Sequence, residues 1–178
     1  MKYETIEDIY TGNDKVRERL KAVVSQLTSE KISALPDGEK WTIAQIVEHI
    51  AMVDESTIRI CSKLLKKSED AGHKSNGGVV MSDGFLQKGV EIAAIKIEAP
   101  SFVQPSGQRT ISESLEKLDE NHERLTAIRP LFESVGGTEF KFPHPFFGEI
   151  SAQEWLALKG GHELRHLKQI ERIMEKIG

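Results

Sequence analysis

The chain has 178 residues, with 24 basic and 28 acidic side chains and a formal net charge of −4. Charges of both signs are interspersed, so no basic stripe is present to attract a phosphate backbone, and nucleic acid is not an expected partner. The single cysteine, Cys61, forms no internal disulfide and suits a reducing compartment; the polar start MKYETIEDIYTGNDK lacks the apolar centre of a signal peptide, and no apolar run approaches the ~20 residues of a membrane span.

These features set the expectation of a cytoplasmic protein with residues 1–178 forming a single domain. Helical periodicity picks out four segments. The first runs from about Thr5 to Gln26, with Ile6, Ile9, Tyr10, Val16, Leu20, Val23 and Leu27 on one broad face, and with polar Gly12-Asn13-Asp14 as a candidate break. The second starts at Thr42, where Thr42 and Gln45 make a capping box, and continues to about Lys67. It presents Ile46, Ile50, Val53, Thr57, Ile60 and Leu64. The third starts at Thr110 with Glu113 completing a box; its stripe is Ile111, Leu115, Leu118, His122, Leu125 and Phe132. The fourth starts at Ser151 with Glu154 and shows Trp155, Leu158, His162, His166, Ile170, Ile173 and Ile177. Each would hold roughly 20 to 27 residues, or ~30–40 Å at 1.5 Å per residue, a length that suits an all-α, antiparallel four-helix bundle.

The connections add to this reading. Leu35-Pro36-Asp37-Gly38 is a turn signal before the second helix. Residues 68–109 are long enough to cross from one end of the bundle to the other, which would make the second and third helices parallel neighbours. Within them, Val90 to Ile97 reads as a short helix or an extended piece. The aromatic and proline-rich stretch Phe140 to Gly148 is expected to cover one end of the bundle. No segment shows the sustained alternation of a strand.

His162 and His166 are four residues apart, so their imidazoles share one helix face with Cβ atoms about 5–6 Å apart. They lie on the inward stripe, where two neighbouring imidazoles are costly to bury unless something satisfies their nitrogens. A divalent metal does so; the competing reading is a hydrogen-bonded core pair. The segment His162-Glu163-Leu164-Arg165-His166 spells the HExxH of zinc proteases. Only 12 residues follow His166 in this sequence, too few for the usual downstream third ligand, so the third ligand is sought upstream. His49, at the edge of the second helix's stripe, is the best candidate. His122 sits in the third seam and is open as a fourth ligand, a group orienting a ligand, or a plain core histidine. Glu163 flanks the pair and is a candidate general base, with a solvent-facing position as the alternative. Glu48 is read as exposed, and Asp54 or Glu55 as able to orient a ligand. His73 and His144 fall in loops, with His144 better placed if its loop caps the site. Cys61, twelve residues from His49 on one helix, is ~18 Å away and out of reach of the same ion.

At these residues the sequence resembles the DinB-like superfamily, which includes the YfiT-type metal-dependent hydrolases and the bacillithiol S-transferases. The carriers are Trp41 to Ile50, Phe147 to Trp155, His162 to His166, and Gln169-Ile170. The resemblance implies a four-helix bundle with a long crossover and a metal triad of one histidine on the second helix and an HxxxH pair on the last, here His49, His162 and His166. It favours thiol transfer or a related reaction.

Three neutral histidines suit one divalent ion per chain, Zn²⁺, Ni²⁺ or Fe²⁺, with open positions for water or substrate. Two chemistries follow: hydrolysis of a small molecule by activated water, or transfer of a low-molecular-weight thiol to an electrophile. Two other classes stay open. One is a carboxylate-bridged di-metal bundle built on Glu163-x-x-His166. The other is a metal-stabilised bundle that binds a ligand or partner without catalysis. A homodimer is also expected.

Overall fold

A computed structural model describes residues 3–95 and 97–178. In chain order its elements are α1 (Ile6–Ser25), α2 (Ser29–Ser33), α3 (Ile43–Asp70), α4 (Asp83–Ala93), a 3₁₀ turn (Ser101–Val103), α5 (Ile111–Ala127), α6 (Arg129–Val135), β1 (Lys141–His144), β2 (Gly148–Ser151) and α7 (Ala152–Ile177). The four long helices α1, α3, α5 and α7 form the bundle, and each starts with a reciprocal capping box. The box on α1 pairs Thr5 with Asp8.

Helix directions follow from contacts along the seams. The Tyr10 hydroxyl donates to Leu125 O near one end and Lys21 pairs with Asp119 further along, so α1 and α5 run antiparallel. Asn13 bonds Leu156 O and Arg19 pairs with Glu171, so α1 and α7 run parallel. The chain between α3 and α5 therefore returns along the bundle, as its length implies. α4 lies within this crossover and begins at Asp83, earlier than the Val90 to Ile97 piece expected; Lys96 of that piece lies outside the described residues.

Three local expectations are corrected. The third segment is not one helix through Phe132. α5 ends at Ala127, and α6 restarts with Pro130 in its first turn, where a missing N–H costs nothing. The buried seam of α5 is Ser114, Leu118, Asn121 and Leu125, which turns His122 outward. The Phe140 to Gly148 stretch contains an antiparallel hairpin, with Phe142 opposite Ile150 and His144 opposite Gly148. Its strands have four residues each and include Pro143, too short and irregular to alternate visibly. Gly148 supplies the positive φ, +69°, that closes the three-residue loop Pro145-Phe146-Phe147.

The Gly12-Asn13-Asp14 stretch leaves α1 unbroken, because Asn13 is buried and donates to Leu156 O at 3.1 Å. It belongs to a polar layer at the waist of the bundle, with Arg17, Asp54, Lys159 and Glu163. One apolar cluster lies on the hairpin side, with Ile9, Ile58, Phe132 and Leu156. Another fills the far end, with Leu20, Ile46, Leu118 and Ile170. Among the described residues no helix is long and apolar enough to cross a membrane.

The α1–α7 contact is close because residue 160 is glycine. A Cβ there would collide with the Asn13 carboxamide, whose Cγ would be 3.0 Å away. Gly160→Ala is expected to lower stability by ~1–3 kcal/mol through overpacking, offsetting the helix-propensity gain of alanine. Urea unfolding followed by circular dichroism checks this; a variant as stable as wild type would remove the close approach from the account.

Candidate metal centre

His49 lies buried in the first turns of α3, and His162 and His166 lie mid-way along α7. The antiparallel packing of these helices brings the three rings together. His162 Nε2 is 3.1 Å from His49 Nε2 and 3.2 Å from His166 Nε2. Each residue offers a ligand atom, all within 4.8 Å of one another, and among the described residues no carboxylate joins the group. Nitrogens bound at ~2.0–2.1 Å to a tetrahedral ion lie about 3.3 Å apart, close to this spacing.

Hydrogen bonding makes the arrangement hard to explain without a cation. His49 Nδ1 is 2.7 Å from the carbonyl of Val103, which can only accept, so Nδ1 carries the proton and Nε2 presents a lone pair. His166 Nδ1 faces Gln169 Oε1 at 2.9 Å, with the same result. Two lone pairs thus face His162 Nε2, and one N–H at that atom satisfies only one of them. A divalent cation satisfies all three. His162 Nδ1 is buried without a hydrogen-bond partner among the described residues.

The surroundings keep the rings neutral. Burial lowers the pKa of His49, partly offset by the bond to Val103. Burial, with a contribution from His49, lowers His166 to about 4. Burial, then His166 and His49, and more weakly His144 and Lys159, hold His162 well below the ordinary range. Neutral imidazole is the ligating form. Trp41 covers one side, its ring 4.9 Å from His49 and 6.4 Å from His166. His144, at the end of β1, packs 5.0 Å from Trp155, two turns before His162 on α7. The His144 Nδ1 accepts from the backbone N–H groups of Phe146 and Phe147 at 3.1 and 3.3 Å, which leaves Nε2 as an N–H donor. Burial lowers its pKa to about 4.

Other expected residues are placed elsewhere. Glu163 neither approaches the triad nor faces solvent. It points into the bundle waist, where its carboxylate takes two bonds from Arg17, at 2.5 and 3.0 Å, and one from Lys159 at 3.1 Å. Burial alone would raise its pKa, but Lys159 and Arg17 outweigh this and hold it below the usual carboxylate range. A carboxylate so engaged is a poor general base. The HExxH segment therefore divides, histidines toward α3 and glutamate toward α1. His122 is exposed on α5 with Nδ1 3.6 Å from Asp14, so it is neither a ligand nor a ligand's partner. Asp54 joins the waist, and Glu55 pairs with Lys117 and Arg124. Glu48, expected at the surface, is buried. The groups that orient the ligands are Val103 and Gln169. The i, i+3 spacing of His166 and Gln169 was a readable signal; a loop carbonyl carries none.

These features define a helical bundle with a three-histidine cluster between its second and last long helices. The DinB superfamily model matches residues 13–170, and the chain belongs to that superfamily. It is 29% identical over 157 residues to the uncharacterised protein YuaE of Bacillus subtilis (strain 168), covering 85% of this chain and 88% of that protein. The crystal structure of TT2238, a four-helix bundle protein, superposes with a TM-score of 0.61 at 23% identity, over 93% of this chain and 98% of that one, a likeness of fold.

Two outcomes follow for the metal-free protein. Unfolded histidines take up a proton near the ordinary 6.5, whereas folded His166 and His144 stay neutral down to about 4. Between those values the unfolded chain binds more protons, so stability falls as pH drops, by up to ~1.4 kcal/mol per pH unit for each histidine. Thermal melts between pH ~5 and 6.5, above most carboxylate titration, are expected to show this slope and His144→Gln to reduce it; a flat profile contradicts it. Glu163→Gln leaves Arg17 and Lys159 short of an anion and is expected to cost ~3–5 kcal/mol in denaturant unfolding while metal stoichiometry is unchanged. Loss of metal at wild-type stability would restore Glu163 to the site.

Proposed function

We propose that the protein binds one divalent metal ion per chain through His49, His162 and His166, and that this centre transfers a low-molecular-weight thiol to a small electrophile. The observation that carries the metal reading is the meeting of three Nε2 atoms, two with lone pairs set by Val103 and Gln169. Three protein nitrogens leave coordination positions open, the pattern of catalytic rather than structural sites. A bound divalent ion lowers the pKa of a thiol or water and polarises an electrophile.

Thiol transfer is preferred to hydrolysis because a thiol, with an ordinary pKa of about 8.5, is ionised by a divalent cation more readily than water, at about 15.7. Glu163 is neutralised by Arg17 and Lys159, and His144 Nδ1 is taken by the Phe146 and Phe147 N–H groups, which leaves an N–H at Nε2. Neither group is a proton acceptor for water that the cation has not already ionised. A thiol of lowered pKa needs none, because it loses its proton to solvent beforehand. The thiolate then forms the new bond to carbon, and the leaving group departs with the electron pair of the bond that breaks. His144 N–H and the ring of Trp155 are suited to orient the electrophile. The small substrate and the sole, buried cysteine fit a reducing cytoplasm.

Tag-free protein is expected to carry about one equivalent of Zn²⁺, Ni²⁺ or Fe²⁺ by elemental analysis. His162→Ala should abolish binding and His122→Ala should retain it. Metal-free wild-type protein with all three histidines intact, after exposure to each ion, would defeat the reading. Conjugation of cellular thiols to model electrophiles, lost on chelation and restored by metal, tests the chemistry. Hydrolysis without conjugation would point to activated water, and neither activity to a binding module.

A further inference from the structure

The crossover between α3 and α5 is gripped at two places by charged side chains that stand next to the histidines. Glu48 immediately precedes His49. It is 2% exposed, and its carboxylate accepts from Ser106 N at 3.0 Å, Ser106 Oγ at 2.7 Å and Gly107 N at 3.0 Å. Arg165 immediately precedes His166. Its guanidinium donates to the carbonyls of Ile92 at 2.8 Å and Ile95 at 2.6 Å, at the C-terminal end of α4, where a cation also meets the negative end of the helix dipole. Between these grips lies Val103, buried, with its carbonyl 2.7 Å from His49 Nδ1.

This layout has a purpose that core packing alone does not supply. A carboxylate buried to this extent needs compensating donors, and these come from a loop rather than from its own bundle. Gly107 has φ +70°, and a Cβ there would be 3.0 Å from Gln45 Nε2, so the loop lies tight against the start of α3. Three loop bonds to residue 48 fix the height of the loop beside residue 49. That height places the Val103 carbonyl, which selects the tautomer of His49.

We propose that Glu48 and Arg165 are positioning residues that hold the crossover against the metal centre, so that Val103 sets His49 for coordination and metal occupancy and crossover order rise together. This rests on the metal-binding reading above. Groups that orient a ligand histidine typically change metal affinity 10–100-fold when removed. Linkage then requires the reverse effect: a bound ion must stabilise the loop that favours its binding.

The test uses the full-length, tag-free protein and Zn²⁺ alone. Affinity is read by competition with a chromophoric chelator, and fold by circular dichroism. Glu48→Ala is expected to weaken Zn²⁺ binding about 10–100-fold, and Glu48→Gln, which keeps one acceptor, to weaken it less. Ser106→Ala, which leaves α3 untouched, should act in the same direction. Glu113→Ala removes the cap of α5 without a bond to Glu48 or Val103 and should bind as wild type. Hydrogen exchange at Ser101 to Gly107 should slow on adding Zn²⁺ to wild type, and this slowing should shrink in the Glu48 variants. If Glu48→Ala does not fold, Ser106→Ala decides. Wild-type affinity in the folded Glu48 and Ser106 variants, or exchange indifferent to Zn²⁺, overturns the inference. Zn²⁺ binding that His162→Ala abolishes but these variants do not overturns this inference alone, whereas no binding by wild type removes the metal reading and this one with it.

Discussion

A single guanidinium touches every other long helix of the bundle. Arg17 on α1 reaches Asp54 on α3, the backbone carbonyl of Leu118 on α5, and both carboxylate oxygens of Glu163 on α7. Lys159 completes the group by pairing with the same two carboxylates. Two cations and two anions balance. Removing such charges from water costs several kcal/mol each, so the group adds little net stability over a well-packed apolar layer. It is far more particular about geometry. Apolar seams tolerate a slip of one turn, whereas a slip here would strand buried charges. The layer therefore sets the register of four helices whose apolar clusters lie above and below it.

That register is what makes the histidine cluster. His49 and Asp54 are on one helix, and His162, Glu163 and His166 on another. When Asp54 and Glu163 meet Arg17 at the waist, the two helices are held at the height where His49 faces His162 and His166. The sequence HExxH thus contains two functions on adjacent faces of α7. Its histidines belong to the three-histidine cluster and its glutamate to the frame. In a zinc protease the same letters would place the glutamate beside the reacting water; here a neighbouring arginine and lysine decide otherwise.

The crossover completes the site from outside the bundle. It brings the Val103 backbone carbonyl to His49 Nδ1. A long connection of mixed polarity thereby becomes part of the cluster's surroundings, while the hairpin adds His144 beside Trp155. The bundle supplies the three histidines and Gln169, and the crossover supplies the Val103 carbonyl.

Much of this was legible in the residues. Capping boxes at Thr42, Thr110 and Ser151 marked three helix starts correctly, because a cap is a local bond between residues three apart. The four-residue spacing put His162 and His166 on one inward face, and His49 was named from its place on the second helix's stripe and the family resemblance. The buried charges, misread or passed over, share one physical cause. Arg17, Glu48, Asp54, Lys159 and Glu163 carry charges that periodicity assigns to solvent by default, and only their partners on distant elements make burial tolerable. His122 was drawn inward by an apolar stripe that the real seam of α5 passes by one residue. The sequence by itself determined the main helix starts and the inward His162–His166 pair, since these depend on neighbours in the chain, while His49 was named from its place on the second helix and the family resemblance. The tertiary structure alone decided which charged residues face inward, that a loop carbonyl holds the His49 ring, and that Glu163 serves the frame, since those outcomes depend on partners in other elements, such as Arg17 for Glu163 and Val103 for His49.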